Sequence, residues 1–255
     1  MTSPAGKFEF TSFATADELA CAAATAWLEE IEKAQCAGKL HCVALSGGRI
    51  AQNFFVAFAE RAKARKAGNS GPSSFPGHVH FFWADERCVP PDDPESNFRM
   101  ANILLFDPLK VPPTQIHRIR GEDSPAVAVR AAEAGLRQIA LPNEDGQPVL
   151  DLVFLGMGED GHVASLFPDA PAGVVNHPGP FLAVENSPKP PPCRISMSYA
   201  TIAAARQVWV LVSGIGKEEA LCRSLGSGGK TPLGRVLQMR QKTLIFSQIE
   251  ADKRI

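Results

Sequence analysis

The sequence predicts an α/β fold with a Rossmann-like, mainly parallel sheet and helices on both faces. Short apolar runs typical of buried strands alternate along the chain with longer segments whose apolar residues recur at helical spacing. Glycine-rich turns follow two of the apolar runs, at Ser46-Gly47-Gly48 and at 156–162. This alternation is typical of parallel sheets covered by helices. No linker separates two halves, so we expect a single domain over residues 1–255.

The helices are predicted from capping residues and apolar periodicity. Thr15 and Glu18 form a capping-box pattern at the start of the first helix. Asp93 and Pro94 suit the N-cap and the first position of a helix that ends near Phe106. The other predicted helices cover residues 50–66, 124–141 and 217–225.

The strands are predicted from short apolar runs between turn residues. The run from Asp151 to Leu155 is the clearest, because an almost continuous apolar segment is typical of a central parallel strand. The other predicted strands cover residues 40–45, 78–84, 115–119, 181–184, 194–198, 207–212 and 243–246, and residues 69–77 are predicted as a loop. Ligands of such sheets bind beyond the carboxyl ends of the strands. Both glycine-rich turns and Asp85-Glu86-Arg87 fall there.

Composition excludes several classes of function. The formal net charge is −1, with acidic and basic residues interspersed, so we expect no nucleic-acid partner. No segment approaches the roughly 18 apolar residues that a membrane span requires, and residues 1–7 lack the features of a secretory signal. Six cysteines without a C-x-x-C pair favour reduced thiols. We expect a cytoplasmic monomer that does not bind membranes.

The turn Ser46-Gly47-Gly48 lies between a predicted strand and a predicted helix. Small residues let main-chain N–H groups approach an anion, and the helix dipole adds to the attraction. The turn is therefore a candidate phosphate-binding site in which all three residues take part. A tight turn that only joins two elements explains the same residues.

The second turn matches the dinucleotide fingerprint in form, as Gly156-x-Gly158-x-x-Gly161, with Glu185 as a candidate ribose acceptor. That fingerprint requires a sustained helix, whereas Pro168 follows after barely one helical turn. We therefore interpret the glycines as permitting a strained turn that projects the next residue, a histidine, from the strand end.

That residue, His162, differs from the other histidines, which we interpret as structural. It lies in a glycine-rich loop two residues after Asp160. An imidazole with a pKa near 6.5 can take a proton from water at neutral pH. We propose His162 and Asp160 as catalytic residues. His78 and His80 share a strand face, but no third ligand is identified, so no metal site is predicted.

Three further cations are candidate ligands for phosphate or carboxylate. Asp85-Glu86-Arg87 is either a solvated turn or a site segment in which Arg87 binds an anion. Lys189 and Arg194 flank a proline run that holds them apart, although both are ordinary surface cations by default. No G-x-S-x-G motif is present, which disfavours a serine hydrolase.

Taken together, these motifs resemble the 6-phosphogluconolactonase family. The matching segments are 45–48, Trp83-Ala84-Asp85-Glu86-Arg87-Cys88-Val89-Pro90, Glu95-Ser96-Asn97, the long stretch 151–168, 187–196 and Gly214-Ile215-Gly216-Lys217. They occur in the order found in that family and cover most of the chain. Its fold is a Rossmann-like α/β sheet, in agreement with the pattern above.

The resemblance implies hydrolysis of 6-phospho-D-glucono-1,5-lactone to 6-phosphogluconate in the oxidative pentose phosphate pathway. It implies a general-base role for His162, which would activate water to attack the lactone carbonyl, with Asp160 orienting the loop or the ring. It also implies substrate or phosphate contacts for Gly47, Gly48, Arg87, Lys189 and Arg194, with Asp85 lining the site. No step requires a metal or a cofactor, and the expected partner is a small sugar phosphate.

One residue departs from the family pattern. The family usually continues Ser-Gly-Gly with Ser or Thr, whereas Arg49 follows here. Its guanidinium either replaces the missing hydroxyl at the phosphate or points to solvent. Two other functions remain open: a glucosamine-6-phosphate deaminase, whose loop usually reads Asn-Gly-His-Ile-Gly-Phe, and a catalytically silent sugar-phosphate sensor.

Overall fold

The structure, a computed structural model, describes residues 8–67, 75–226, 229 and 231–250. Its strands are β1 (Glu9–Ser12), β2 (His41–Leu45), β3 (Val79–Trp83), β4 (Asp85–Arg87), β5 (Leu152–Gly156), β6 (Phe181–Val184), β7 (Arg194–Met197), β8 (Gln207–Val212) and β9 (Leu244–Ser247). Its helices are α1 (Ala16–Cys36), α2 (Arg49–Ala67), α3 (Asn97–Ala101), α4 (Asp107–Leu109), α5 (Pro125–Ile139), α6 (Ala172–Val175), α7 (Tyr199–Ala204), α8 (Glu218–Leu225) and α9 (Pro232–Met239).

The main sheet contains six parallel strands in the order β1-β9-β8-β5-β2-β3, and helices flank it. Every residue of β2 is buried, as expected for a central strand covered on both faces. The predicted α/β fold with a mainly parallel sheet is confirmed. A second sheet of three antiparallel strands, β4-β7-β6, lies beside it.

Aromatic side chains fill the core between α1, α2 and the main sheet. Trp27 is fully buried, with its ring centroid 4.1 Å from that of Phe58 and 5.6 Å from that of Phe54. Its indole Nε1 donates a hydrogen bond to Nε2 of His41 at 3.0 Å. Burial lowers the pKa of His41, so the neutral ring accepts this bond. His41 is therefore structural, as its sequence context indicates.

The predicted start of the third helix is wrong. Ser96, not Asp93, is the N-cap of α3, and its hydroxyl accepts a hydrogen bond from the N–H of Arg99. The carboxylate of Glu86 accepts the N–H groups of the first two helical residues, at 2.8 Å each. This contact with a distant strand anchors the first turn. The helix then continues through a π-helical turn, Asn102–Phe106, into α4.

One other predicted element is wrong, and one of the two alternatives left open for residues 85–87 is excluded. Residues 115–119 form no strand, since Pro113–Gln115 is a 3₁₀ turn and only an isolated bridge joins Ile116 to Phe81. Asp85-Glu86-Arg87 is not a solvated turn but strand β4, in which Glu86 is 2% exposed. The loop predicted at 69–77 lies mostly outside the described residues. In the described part of the chain, no helix combines the length and apolar character that a membrane span requires.

Candidate active site

A cleft lies at the carboxyl edge of the main sheet, where the sheet meets the small antiparallel sheet. It encloses about 590 Å³ of open space, part of which is continuous with solvent. Eight of the predicted site residues line it, namely Ser46, Gly47, Gly48, Arg49, Asp85, Arg87, His162 and Arg194. The fold therefore brings the imidazole, the glycine turn and three arginines to one cavity.

The glycine turn joins β2 to α2 at one wall of the cleft. A Cβ atom on Gly47 would approach Oδ1 of Asn97 within van der Waals radii, and Gly48 has a φ of +99°, so both positions require glycine. The hydroxyl of Ser46 donates to the carbonyl of Phe154 at 2.8 Å. Its proton is therefore used within the protein. The turn places the N-terminus of the 19-residue helix α2 at the cleft, with no acidic residue in the first turn.

Two cations lie close to this turn. Arg49, the first residue of α2, is exposed and directs its guanidinium towards Gly214, in the loop that follows β8. Lys217 ends the same loop and also lines the cleft. Burial lowers the pKa of Lys217, and the positive charge of Arg49 lowers it further, against the opposing charge of Glu159. Two neighbouring positive charges, one of them partly buried, favour an anion between them.

Lys217 was not among the predicted site residues, although it belongs to the matching segment Gly214-Ile215-Gly216-Lys217. Its position follows a simple rule. The segment begins directly after β8, a parallel strand next to β5, so it reaches the same edge of the sheet as His162.

A second pair of cations comes from the small sheet. Arg87 and Arg194 lie directly opposite each other on the antiparallel strands β4 and β7. Arg194 is 4% exposed and donates from Nε to the carbonyl of Pro191 at 3.0 Å, and from Nη2 to the carbonyls of Lys189 and Pro190. The proline run therefore fixes this guanidinium through its carbonyl groups. Burial lowers the pKa of Arg194, while the charge of Asp85 raises it.

Arg87 is held less completely than Arg194. Its Nη1 donates to the carbonyl of Glu95 at 2.5 Å, and the same atom lies 3.5 Å from the carboxylate of that residue. Nη2 of Arg87 and Nη1 of Arg194 have no partner within the described ranges. Each arginine therefore retains a donor for a ligand.

Lys189 does not line the cleft, although its charge acts on groups that surround it. The residue is half-buried, and its positive charge helps to lower the pKa of Asp160 and of Lys217. Its main-chain carbonyl accepts hydrogen bonds from Arg194 and from the hydroxyl of Ser187. Among the described contacts, Lys189 supports Arg194 through its main chain and acts on the cleft by charge alone.

His162 is held by Asp160 in the glycine-rich loop after β5. Nδ1 of His162 lies 2.5 Å from Oδ1 of Asp160, and the main-chain N–H of His162 reaches the same oxygen at 3.2 Å. Burial raises the pKa of Asp160, but the hydrogen bond and charge of His162 outweigh it and hold the pKa at about 2. An ionised carboxylate only accepts, so Nδ1 carries the proton. Nε2 has no partner among the described residues, and the ring lines the cleft.

Close packing fixes the position of this ring. A Cβ atom on Gly158 would lie 2.1 Å from Cε1 and Nδ1 of His162, so only glycine fits there. Gly161 has a φ of +83°, and its carbonyl accepts the N–H of Leu233 at the start of α9. The ring of Phe167 packs on the imidazole with centroids 4.7 Å apart. The glycines therefore shape a turn that presents the imidazole, as the sequence predicts.

The acidic residues of β4 lie on opposite faces of the small sheet. Asp85 is 5% exposed and accepts the hydroxyl of Ser165 at 2.7 Å and the amide of Asn97 at 3.4 Å. Glu86 points away from the cleft towards α3. Burial raises the pKa of Glu86 to about 7 against the opposing effect of three main-chain N–H groups. Asp85 therefore forms the cleft wall, and Glu86 supports that wall from behind.

A metal ion and a dinucleotide each require a specific arrangement of residues. Within the described residues, no group of three or more His, Cys, Asp or Glu side chains is arranged to hold a metal ion. Downstream of His162 the chain forms only a short turn and then the four-residue helix α6. The sustained helix of a dinucleotide-binding motif is not found there.

Comparison with known proteins identifies the family. The model of glucosamine-6-phosphate isomerases/6-phosphogluconolactonase matches residues 14–246. The chain belongs to this family. It is 36% identical over 218 residues to a 6-phosphogluconolactonase of Streptomyces coelicolor, a match covering 83% of this chain and 80% of the relative. The resemblance found in the motifs is thereby confirmed.

Two further relatives support this family assignment. A 6-phosphogluconolactonase of Mycobacterium tuberculosis is 41% identical over 153 residues, and the match covers 58% of this chain and 61% of that relative, less than two thirds of its length. The solved structure of 6-phosphogluconolactonase from Trypanosoma brucei superposes with a TM-score of 0.76 at 26% identity, covering 94% of this chain and 95% of the other. The family model carries the names of two activities, so the site must distinguish between them.

Proposed function

We propose that the chain hydrolyses 6-phospho-D-glucono-1,5-lactone to 6-phosphogluconate, with His162 as the general base. The observation that carries the proposal is the imidazole held by Asp160, with Nε2 free, in the same cleft as the Gly47-Gly48 turn. The names of the relatives agree with a lactonase. The loop Asp160-Gly161-His162 also departs from the pattern typical of the deaminase.

In the proposed reaction, Nε2 of His162 takes a proton from water as its oxygen attacks the lactone carbonyl. The bond between the carbonyl carbon and the ring oxygen then breaks, and the imidazolium returns the proton to that oxygen. The cations of the cleft stabilise the tetrahedral oxyanion. General acid–base catalysis of this kind contributes about 10²–10⁴-fold.

The phosphate, in this proposal, lies at the N-terminus of α2. Gly47 and Gly48 permit its close approach, and Arg49 and Lys217 supply charge on either side. Arg49 then replaces the hydroxyl that the family usually has at this position. Arg87 and Arg194 bind the oxygen atoms of the sugar acid, and the charge of Lys189 adds to the field. We also propose that the chain acts as a cytoplasmic monomer.

The test compares the wild-type chain with His162→Ala on freshly generated lactone, after subtraction of spontaneous hydrolysis. We expect kcat to fall by about 10²-fold or more, with thermal unfolding little changed. A folded variant with full turnover would refute the role of His162. Ammonia release from glucosamine 6-phosphate would identify a deaminase instead, and phosphogluconate binding without turnover by the wild type would identify a sensor.

A further inference from the structure

Two cysteines lie opposite each other at the ends of the strands that carry the arginine pair. Cys88 follows β4 and Cys193 precedes β7, in continuation of the register that pairs Arg87 with Arg194. The main-chain N–H of Cys88 donates to the carbonyl of Cys193 at 3.0 Å, which extends the ladder by one step. Both side chains are half-buried, and the two thiols are hydrogen-bonded to each other.

This arrangement satisfies the geometric requirements of a disulfide. Opposed residues in a hydrogen-bonded antiparallel pair have Cα atoms about 5.5 Å apart, within the span that disulfides bridge. Directly opposite side chains leave the same face of the sheet. Since side chains alternate between faces, the two thiols lie on the face opposite to Arg87 and Arg194, next to Glu86.

We propose that Cys88 and Cys193 form an oxidisable dithiol, which a peroxide converts to an intramolecular disulfide that weakens the arginine pair. The sulfur of one cysteine attacks a peroxide oxygen, and the O–O bond breaks to give a sulfenic acid and water. The second sulfur then displaces the hydroxyl group, forming the S–S bond and a second water. Two thiols are oxidised and one peroxide is reduced, so atoms and electrons balance.

The order of attack follows from the surroundings of the two thiols. Burial, and to a smaller extent the hydrogen bond to Cys193, raise the pKa of Cys88 to about 12. Cys88 therefore remains protonated and donates to the sulfur of Cys193. This leaves Cys193 as the sulfur that attacks the peroxide.

The effect on the cleft follows from distances. Directly opposite Cβ atoms lie up to about 5.5 Å apart, whereas a disulfide requires about 3.8 Å. Closing the bond draws the strand ends together on the thiol face, so the arginines on the opposite face move apart. On the proposed function, a wider arginine pair binds the substrate less tightly, and KM should rise by about threefold or more with kcat little changed.

The experiment uses the full chain with its two exposed thiols removed by Cys36→Ser and Cys222→Ser. After treatment with hydrogen peroxide, free thiols are counted, the intact mass is measured and peptides are mapped. We expect the loss of two thiols and two hydrogen atoms per chain, a peptide linking Cys88 to Cys193, and the rise in KM. Dithiothreitol should reverse all of these changes.

The matched controls add Cys88→Ser or Cys193→Ser to the same background. Either should prevent the linked peptide and leave KM insensitive to peroxide. Absence of the linked peptide while other thiols oxidise would overturn the dithiol, and a linked chain with unchanged KM would overturn its effect on the arginines. Because thiol counts and masses do not use lactone, failure of the proposed function would be recognised separately, as absence of turnover in the reduced chain.

Discussion

Replacing Asp160 with asparagine tests how much the carboxylate that holds His162 contributes to the proposed catalysis. In the wild type, its ionised carboxylate accepts the Nδ1 proton of His162 at 2.5 Å, and in the proposed reaction it becomes the partner of the imidazolium. A hydrogen bond to a charged group contributes about 1.5–3 kcal/mol. Since 1.36 kcal/mol corresponds to a tenfold change in rate, Asp160→Asn should lower kcat by about 10- to 150-fold.

The assay measures kcat and KM separately on freshly generated lactone, with the spontaneous rate subtracted. Asp160 does not line the cleft, so we expect KM to stay within about threefold of the wild-type value. Glu159→Gln is the matched control for kcat, since it removes a carboxylate from the same loop that, among the described contacts, touches no atom of the imidazole; its charge acts on Lys217, so a change in KM is expected for this control. A kcat within about twofold of wild type in folded Asp160→Asn would refute the assigned role.

Two other substitutions test the structure around the cleft. Gly158→Ala would place a Cβ atom 2.1 Å from the imidazole of His162, so the ring must move and kcat should fall by about 10²-fold. Gly135→Ala, with open space around its Cα, is the control in the same kinetic assay. Glu86→Gln directs an amide donor at main-chain donors and should lower the free energy of unfolding by about 1–3 kcal/mol in urea titrations. Burial raises the pKa of Glu86 from 4.5 in the unfolded chain to about 7 in the folded chain, so the folded chain holds this proton more tightly. The free energy of unfolding of the wild type should therefore fall as the pH rises from 4.5 to about 7. The variant should lack this fall.

Local patterns determine most of the main sheet but not its edge strand β1. Strands β2, β5 and β8 are predicted because almost every residue in them is apolar. The structure buries almost all of these residues. Strand β1 is not predicted, since its four residues are mostly exposed and its partner β9 lies at the far end of the chain. Helix α9, which begins after the N-cap Thr231, is also missed, because Pro232 and Gly234 in its first turn are residues typical of loops.

The start of α3 shows why some boundaries cannot be read locally. Asp93 and Ser96 are both acceptable N-cap residues. The choice is made by Glu86, whose carboxylate binds the N–H groups of Asn97 and Phe98. Three charged residues in a row are compatible with a solvated turn, but Glu86 is buried, and the main-chain donors of α3 offset part of the cost of its burial.

The candidate site could be predicted where its residues lie in glycine-rich loops that follow strands. The Gly47-Gly48 turn and His162 were located in this way, and all line the cleft. Lys217 was missed as a site residue because its place at the cleft follows from the pairing of β8 with β5, which the local sequence does not determine. How far Lys189 extends towards the cleft depends on the path of the proline segment, which sequence does not determine.

Ala84 is the only residue between β3 and β4, and its main chain is bonded to both sheets. Its N–H donates to the carbonyl of Leu45 in the main sheet, and its carbonyl accepts from Met197 in the small sheet. The imidazole of His162 lies in the loop after β5 of the main sheet, and the arginine pair lies on β4 and β7 of the small sheet. The distance between them therefore depends in part on the main-chain angles of Ala84, which lies outside the lining of the cleft. A substitution that alters the main-chain angles of Ala84 would change the length of ligand that the cleft accepts, while every side chain that lines the cleft stays the same.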